Sequence, residues 1–450
     1  MNNQQRLVLW ISILASFVAF LDGSVINVAL PAITSDLGGG LSTQQWVVDA
    51  YLITLGSLIL IAGSLSDLFG RQKVLRAGLF VFGIASLLCA FAPTDEFLIV
   101  SRGLQGVAGA LLVPSSLALI IATFKGAAQG KAIGSWTAWT GISFIIGPLV
   151  GGLLVDAGSW RWIFAINIVP IAITIWLLKR LNQPEITRED TKLDVWGAMF
   201  CALGFGGTVF ALIEQPTYGW SHPVIYLPLA IGIVSLIAFF WYEKTIKHPM
   251  LPLGLFKLRN FAVGNMATLL VYAGLSLATF IIAVFVQQVG NYSATQAGLA
   301  LMPVTVIMFL LSSRFGGLAS RLGPRLFMAI GPIVSALGFL AMLGIDESVS
   351  YWTLLPGVLI FGLGLSITVA PLTAAILSSV DEHQAGIGSA VNNAVARIAG
   401  LLAIAAIGPI IGVALDVDAF HRAVLLAAGL MIVGGLVSAV GIKNLHPTSV

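Results

Sequence analysis

Fourteen long apolar stretches follow one another through the chain. They lie near residues 8–30, 45–64, 74–92, 97–122, 131–155, 162–178, 194–213, 224–243, 260–286, 297–318, 326–345, 351–375, 386–414 and 422–443. An α-helix needs about 20 such residues to cross the hydrocarbon core of a bilayer. In lipid only a helix or a closed barrel satisfies its own backbone. The expected fold is therefore an all-α polytopic membrane protein with 14 transmembrane helices. Composition agrees: of 450 residues, 58% are hydrophobic and 9% charged, against about 25% charged in soluble domains. A water-soluble enzyme built on one apolar core is excluded. The first stretch follows Arg6 and runs for about 23 residues, longer than the ~7–15 of a signal peptide. It is expected to stay as a membrane helix.

An even number of spans puts both termini on one side, and the positive-inside rule says which. With a cytoplasmic N-terminus, the cytoplasmic segments hold Arg6; Arg71, Lys73 and Arg76; Lys125 and Lys131; and Lys179, Arg180, Arg188 and Lys192. Further on they hold Lys244, Lys247, Lys257 and Arg259; Arg314, Arg321 and Arg325; and Lys443, making eighteen of the 22 basic residues. Arg161 and Arg422 fall outside, and Arg102 and Arg397 within spans. Both termini are expected to be cytoplasmic. The basic residues form no stripe for nucleic acid. Cys89 and Cys201 stand in apolar runs without a CxxC or a nearby His, which fits small buried hydrophobes and no metal site.

Two sequence echoes share one offset. "GSLSDLFGR" (63–71) returns as "GGLASRLGP" (316–324), and "IIGPLVGG" (145–152) as "AIGPIIG" (406–412). Each relates span n to span n+8. The implied organisation is an N-terminal six-helix half (1–180), a linker with two additional spans (181–259) and a C-terminal six-helix half (260–450). Paired halves around a midplane site are a transporter architecture.

Four stretches then carry a family likeness: "LDGSVINVALP" (21–31), "GSLSDLFGRQKVL" (63–75), "IVSRGLQGVAGALLVP" (99–114) and "GISFIIGPLVGGLL" (141–154). "WRWIFAINIVP" (160–170) and "HPMLPLGLFKLRNF" (248–261) support them. Together, in this order, the chain resembles the fourteen-helix drug:proton antiporter family (EmrB/QacA type) of the major facilitator superfamily. The resemblance implies the major facilitator fold and a place in the bacterial cytoplasmic membrane. It also implies a helix-one acid and a latch in the loop between spans two and three. Asp67 and Arg71 flank that loop, where Gly63 is expected to permit close helix approach and Gly70 a tight reversal. Ser320 replaces the acid in the second echo. Gly141, Gly147, Pro148, Gly151 and Gly152 cluster in span five, where small residues let helices approach in lipid. The resemblance implies a pliable interface there, with Gly408 and Pro409 as its counterpart. In "DGS" a Gly follows Asp22 where a Thr is usual in the family, and Ser24 keeps a hydroxyl.

An intramembrane ion is costly and functional by default. Counted at helical rise, Asp22 lies about 12 Å and Arg102 about 9 Å below the same face, so the two are expected to meet. Two uses stand: a structural ion pair, and a coupling site that loses Arg102 or receives substrate and then takes a proton. The second is favoured. Asp49 is either a further carboxylate in the cavity or an interfacial one. Arg397, with Asn392 and Asn393 a turn before it, disfavours dicationic substrates because no acid is embedded in the second half. Trp136, Trp139, Phe144, Tyr272 and Met302 are candidate contacts for amphiphiles, with plain packing or lipid-facing use the favoured reading for any one of them.

No HExxH, GxSxG, P-loop or His pair at ligand spacing occurs, and the histidines (222, 248, 383, 421, 446) are expected at or beyond helix ends. That removes the readings as enzyme, metal site and ATP-driven pump. The leading expectation is a proton-coupled antiporter of amphipathic or cationic small molecules. It needs no cofactor beyond H⁺ and no partner beyond the bilayer and its substrates, and a monomer suffices. The alternative is a dedicated exporter of one lipid, metabolite or antibiotic.

Overall fold

The computed structural model describes residues 1–182, 193–381, 384–412 and 415–444. Arg188, Lys192, His383 and His446 lie outside this set, as do residues 413–414 at the expected end of span thirteen and the side chain of Phe144. The described chain contains no strand, and fourteen of its helical segments are long and apolar enough to cross a membrane.

The first helices are α1 (Asn3–Leu37), α2 (Leu41–Phe69), α3 (Arg71–Ala90), α4 (Asp95–Thr123) and α5 (Gly126–Ala157). Then come α6 (Trp162–Ala165), α7 (Ile168–Arg180), α8 (Val195–Tyr218) and α9 (Pro223–Thr245). The remainder are α10 (Arg259–Gln288), α11 (Ala294–Leu322), α12 (Pro324–Ala341), α13 (Tyr351–Leu377), α14 (Ala385–Ala405), α15 (Ile407–Ile411) and α16 (Val417–Gly441). Several spans depart from expectation. Span one begins before its expected start, because Asn2 and Gln5 form a capping box that satisfies otherwise orphaned N–H groups, and it runs on to Leu37. Spans six and thirteen are each interrupted, giving α6 with α7 and α14 with α15. His421 also lies inside a helix, because Asp416 caps α16 five residues upstream of it.

The chain forms two compact units: Met1–Ala211 with Trp220–Met250, and Leu212–Gly219 with Leu251–Val450. In the first, α2 and α3 pack on α4, α1 packs on α5 and α7, and α3 on α7. In the second, α11 and α12 pack on α13, α10 packs on α14 and α16, and α12 on α16. Each pair in one unit is the other's pair shifted by eight spans, so the packing repeats with the offset of the sequence echoes. The turns repeat as well. Gly70 (φ +96°, ψ 135°) ends α2 and begins α3, and Gly323 (φ +88°, ψ 149°) ends α11 and begins α12. A side chain at that positive φ is strained, which explains a glycine in both echoes.

Outside these cores, large apolar side chains face outward. Ile231, Val234, Ile237 and Trp241 of α9 are exposed, and α9 is the least buried of the fourteen spans. A helix apolar all round belongs in lipid.

Candidate functional site: a buried carboxylate and guanidinium

The densest polar cluster of the first unit lies where α1, α4 and α7 meet. Asp22 is 1% exposed and Arg102 0%. Arg102 Nη1 donates to Asp22 Oδ2 at 2.6 Å, so the two residues meet as helix depth implied. Asp22 Oδ1 accepts from Gln105 Nε2 at 2.8 Å and from Asn167 Nδ2 at 2.9 Å. The carboxylate therefore holds three donors from two other spans.

Arg102 is held from several sides. Its Nε donates to the Val47 carbonyl of α2 at 3.0 Å, and Nη1 also donates to Gln105 Oε1 at 2.6 Å. The guanidinium lies 4.5 Å from the Tyr51 ring centre and 5.7 Å from that of Phe164, within cation–π range. Gln105 and Asn167 donate further to Ser86 Oγ at 3.0 and 3.4 Å. One valence stays open: Arg102 Nη2 has no hydrogen-bond partner.

Gln105 and Asn167 were not among the expected site residues. Gln105 is three residues after Arg102, so it shares a helix face with it, and that signal was readable. Asn167 points to Asp22 from the break between α6 and α7, which no periodicity announces. The C-terminal end of α1 is tied down as well: Asp36 accepts from Arg161 and from Trp160 Nε1, and Arg161 also donates to the Ala92 carbonyl. The residues of "WRW" thus anchor the turn that places Asn167.

Span five approaches α1 through its glycines. A Cβ on Gly147 would sit 1.8 Å from Ser24 Oγ, and one on Gly151 3.0 Å from the Val25 carbonyl. The contact these two residues serve is with α1 of their own unit. Gly152 is buried, Gly141 has open space beside it, and α5 runs unbroken through Pro148. The close approach expected at Gly63 is absent: a Cβ there would meet nothing within 4 Å. Asp67 accepts from Arg71 at 3.2 Å across the reversal between α2 and α3, both partly exposed, while Ser320 bonds its own helix at Gly317.

Asp49 is wholly buried and neither carboxyl oxygen has a hydrogen-bond partner. In this structure the carboxylate faces neither an open cavity nor water. In the second unit, Asn392 Nδ2 donates to Thr268 Oγ1 at 2.8 Å and Asn265 Oδ1 at 3.3 Å. Asn393 instead bonds the Ser389 carbonyl of its own helix. Arg397 acts electrostatically on Tyr272, and α10–α15 carry no acid.

The candidate contacts for amphiphiles fall apart. Trp136 is core, its Nε1 donating to Ser16 Oγ at 3.0 Å. Trp139 is exposed against Trp10. Met302 lines a mostly apolar cavity of about 700 Å³ with Tyr292, Gln296, Leu299 and Tyr351.

Comparison with known proteins follows the same direction. The family model described as Major Facilitator Superfamily matches residues 12–404. The chain is 31% identical over 412 residues to the multidrug resistance protein Stp of Mycobacterium tuberculosis (strain CDC 1551 / Oshkosh), covering 91% of this chain and 76% of that protein. It is 32% identical over 409 residues to the methylenomycin A resistance protein of Bacillus subtilis (strain 168), covering 90% and 87%. In structure it resembles the partially occluded inward open conformation of the xylose transporter XylE from E. coli. That match has a TM-score of 0.68 and 13% identity, and covers 100% of each chain, a likeness of fold alone.

Proposed function

Because the chain belongs to the major facilitator superfamily and is a transporter rather than an enzyme, we propose that it is a proton-coupled antiporter that exports amphipathic or cationic small molecules by alternating access. The observation that carries this is the Asp22 carboxylate held by Arg102, Gln105 and Asn167 with almost no exposure. A proton reaches that carboxylate only when its donors give way. Breaking a buried pair leaves an uncompensated charge at a cost of about 3–5 kcal/mol, and the arriving proton removes that charge. Protonation of Asp22 and movement of α1 against α4 and α7 are then one event, which is what coupling requires. H⁺ is the only coupling species proposed.

The hairpin of Asp67, Gly70 and Arg71 and the α5 glycines serve the conformational exchange. Gly70 fixes the turn, and Gly147 and Gly151 seat α5 on α1. We place both termini in the cytoplasm, and the transporter acts as a monomer in the bilayer.

The substrate class rests on the names of the relatives. One is named for multidrug resistance and another for resistance to the single antibiotic methylenomycin A. The second keeps a dedicated exporter as the alternative reading. The test is transport in proteoliposomes under an imposed pH gradient with the membrane potential clamped, using unrelated cationic dyes and a neutral lipophile. Accumulation of several of them on the acidic side supports a polyspecific antiporter. Accumulation of one compound alone supports the dedicated exporter, and accumulation unmoved by the gradient overturns proton coupling.

A further inference from the structure

Asp49 has no part in the cluster around Asp22, yet it lies level with it. The Arg102 guanidinium bonds the Val47 carbonyl and stacks on Tyr51, residues one helical turn apart on one face of α2. Asp49 lies between them in sequence, about 200° around the helix from each. The face bearing Tyr51 and Thr54 is occupied by α4, since a Cβ on Gly106 would sit 2.2 Å from the Tyr51 carbonyl and from Thr54 Oγ1. Asp49 therefore stands at the depth of the guanidinium, on the opposite side of α2.

Its neighbours one turn away on α2 are Gln45, Trp46, Leu52 and Ile53. The carboxyl is 0% exposed and bonded to nothing among the described residues. The buried ionisable groups of the helices packed on α2 are engaged elsewhere. Arg102 of α4 holds Asp22 of α1, Cys89 of α3 contacts Gln105, and Asp95 at the outer end of α4 accepts from Thr43. Across the Trp46–Phe210 ring contact, α8 carries Cys201, which does not bond Asp49. An ionised carboxylate in such a place, without donor or counter-ion, costs several kcal/mol. The neutral acid escapes that cost.

We infer that Asp49 is a second proton-binding carboxyl of the transport cycle, holding its proton in this conformation. It takes H⁺ from water when its side of α2 opens and gives it back, as the carboxylate, when the opposite opening wets it. No other atom changes bonding. This rests on the proton-coupled reading of Asp22 and deepens it: the cycle then moves two protons, one at each carboxyl.

The test uses the reconstituted full chain under a one-unit pH gradient with the potential clamped and an electroneutral substrate. Each coupled proton multiplies the limiting accumulation about tenfold. Wild type is expected to reach about ten times the limit of Asp49→Asn, with Asp49→Glu keeping the wild-type limit. Equal limits in wild type and Asp49→Asn overturn the proposal. A wild type that shows no gradient-driven accumulation overturns the coupling reading and the two-proton cycle with it. A separate infrared measurement reads Asp49 alone at neutral pH. A protonated-carboxyl C=O band present in wild type and Asp22→Asn and missing from Asp49→Asn supports the assignment. Its absence from wild type overturns it, whatever the transport assays give.

Discussion

Counted back from the Gly-Pro step that the two halves share, Trp136 and Arg397 occupy the same position. Trp136 stands eleven residues before Gly147, and Arg397 eleven before Gly408. In the first unit the indole donates to Ser16 of α1 and packs into the core. In the second the position holds a half-buried guanidinium, on the helix whose Asn392 bonds Asn265 and Thr268 of α10. The buried ion pair is confined to the first unit. Its helices enclose a carboxylate whose charge is cancelled on the spot, whereas α10–α15 carry basic residues, Arg397 among them, and no acid. The same helix packing thus carries two chemistries. A carboxylate with removable donors suits a proton. The half-buried cation of the second unit is proposed to discriminate between substrates, by repelling a second positive charge.

Four substitutions press on that contrast. The largest effect is expected of Arg102→Ala, which leaves Asp22 buried without its counter-charge and costs about 3–5 kcal/mol. Gradient-driven transport should vanish and the thermal midpoint in detergent should drop. Unchanged transport between about pH 6 and 8 would break the pairing, since an unpaired carboxylate there must respond to protons. Next is Gly147→Val, which drives a side chain into Ser24 and is expected to cost about 1–3 kcal/mol. Gly141→Ala in the same helix meets open space and should leave the midpoint within about 0.5 kcal/mol of wild type. Equal effects of the two would mean that the α1–α5 contact does not set the stability of the first unit. The smallest is Arg397→Gln, expected to lower the apparent KM for a cationic dye by up to about tenfold with proton coupling unchanged. Loss of coupling in Arg397→Gln would place proton chemistry in both units.

The division of labour was partly legible in the residues. Fourteen spans follow from apolar length alone, and the meeting of Asp22 and Arg102 follows from counting helical rise down two spans. The repeat was legible because glycine at positive φ leaves a mark in sequence, as Gly70 and Gly323 do. Gln105 was within reach one turn from Arg102, but a single amide in an apolar helix has many uses. Asn167 was out of reach, because a helix interruption turns it toward Asp22 and interruptions leave no periodic trace. Gly63 shows the converse. A small residue in a recurring motif suggested close packing, and the structure leaves space beside it. Trp136 drew attention as a large aromatic in a glycine-rich helix, and its partner is a serine of the core.

The central claim is that Asp22 carries the proton, and Asp22→Asn tests it most directly. Asparagine keeps the shape and accepts from Arg102 through its amide oxygen, while its amide nitrogen meets the Gln105 and Asn167 donors and Arg102 loses its counter-charge, so a lowered thermal midpoint is expected in a protein that still folds and binds substrate. Reconstituted with a pH-sensitive dye inside the vesicles, the variant is expected to show no substrate-driven proton movement, while substrate equilibrates down its own gradient. Substrate-driven proton movement at the wild-type rate in Asp22→Asn would contradict the account.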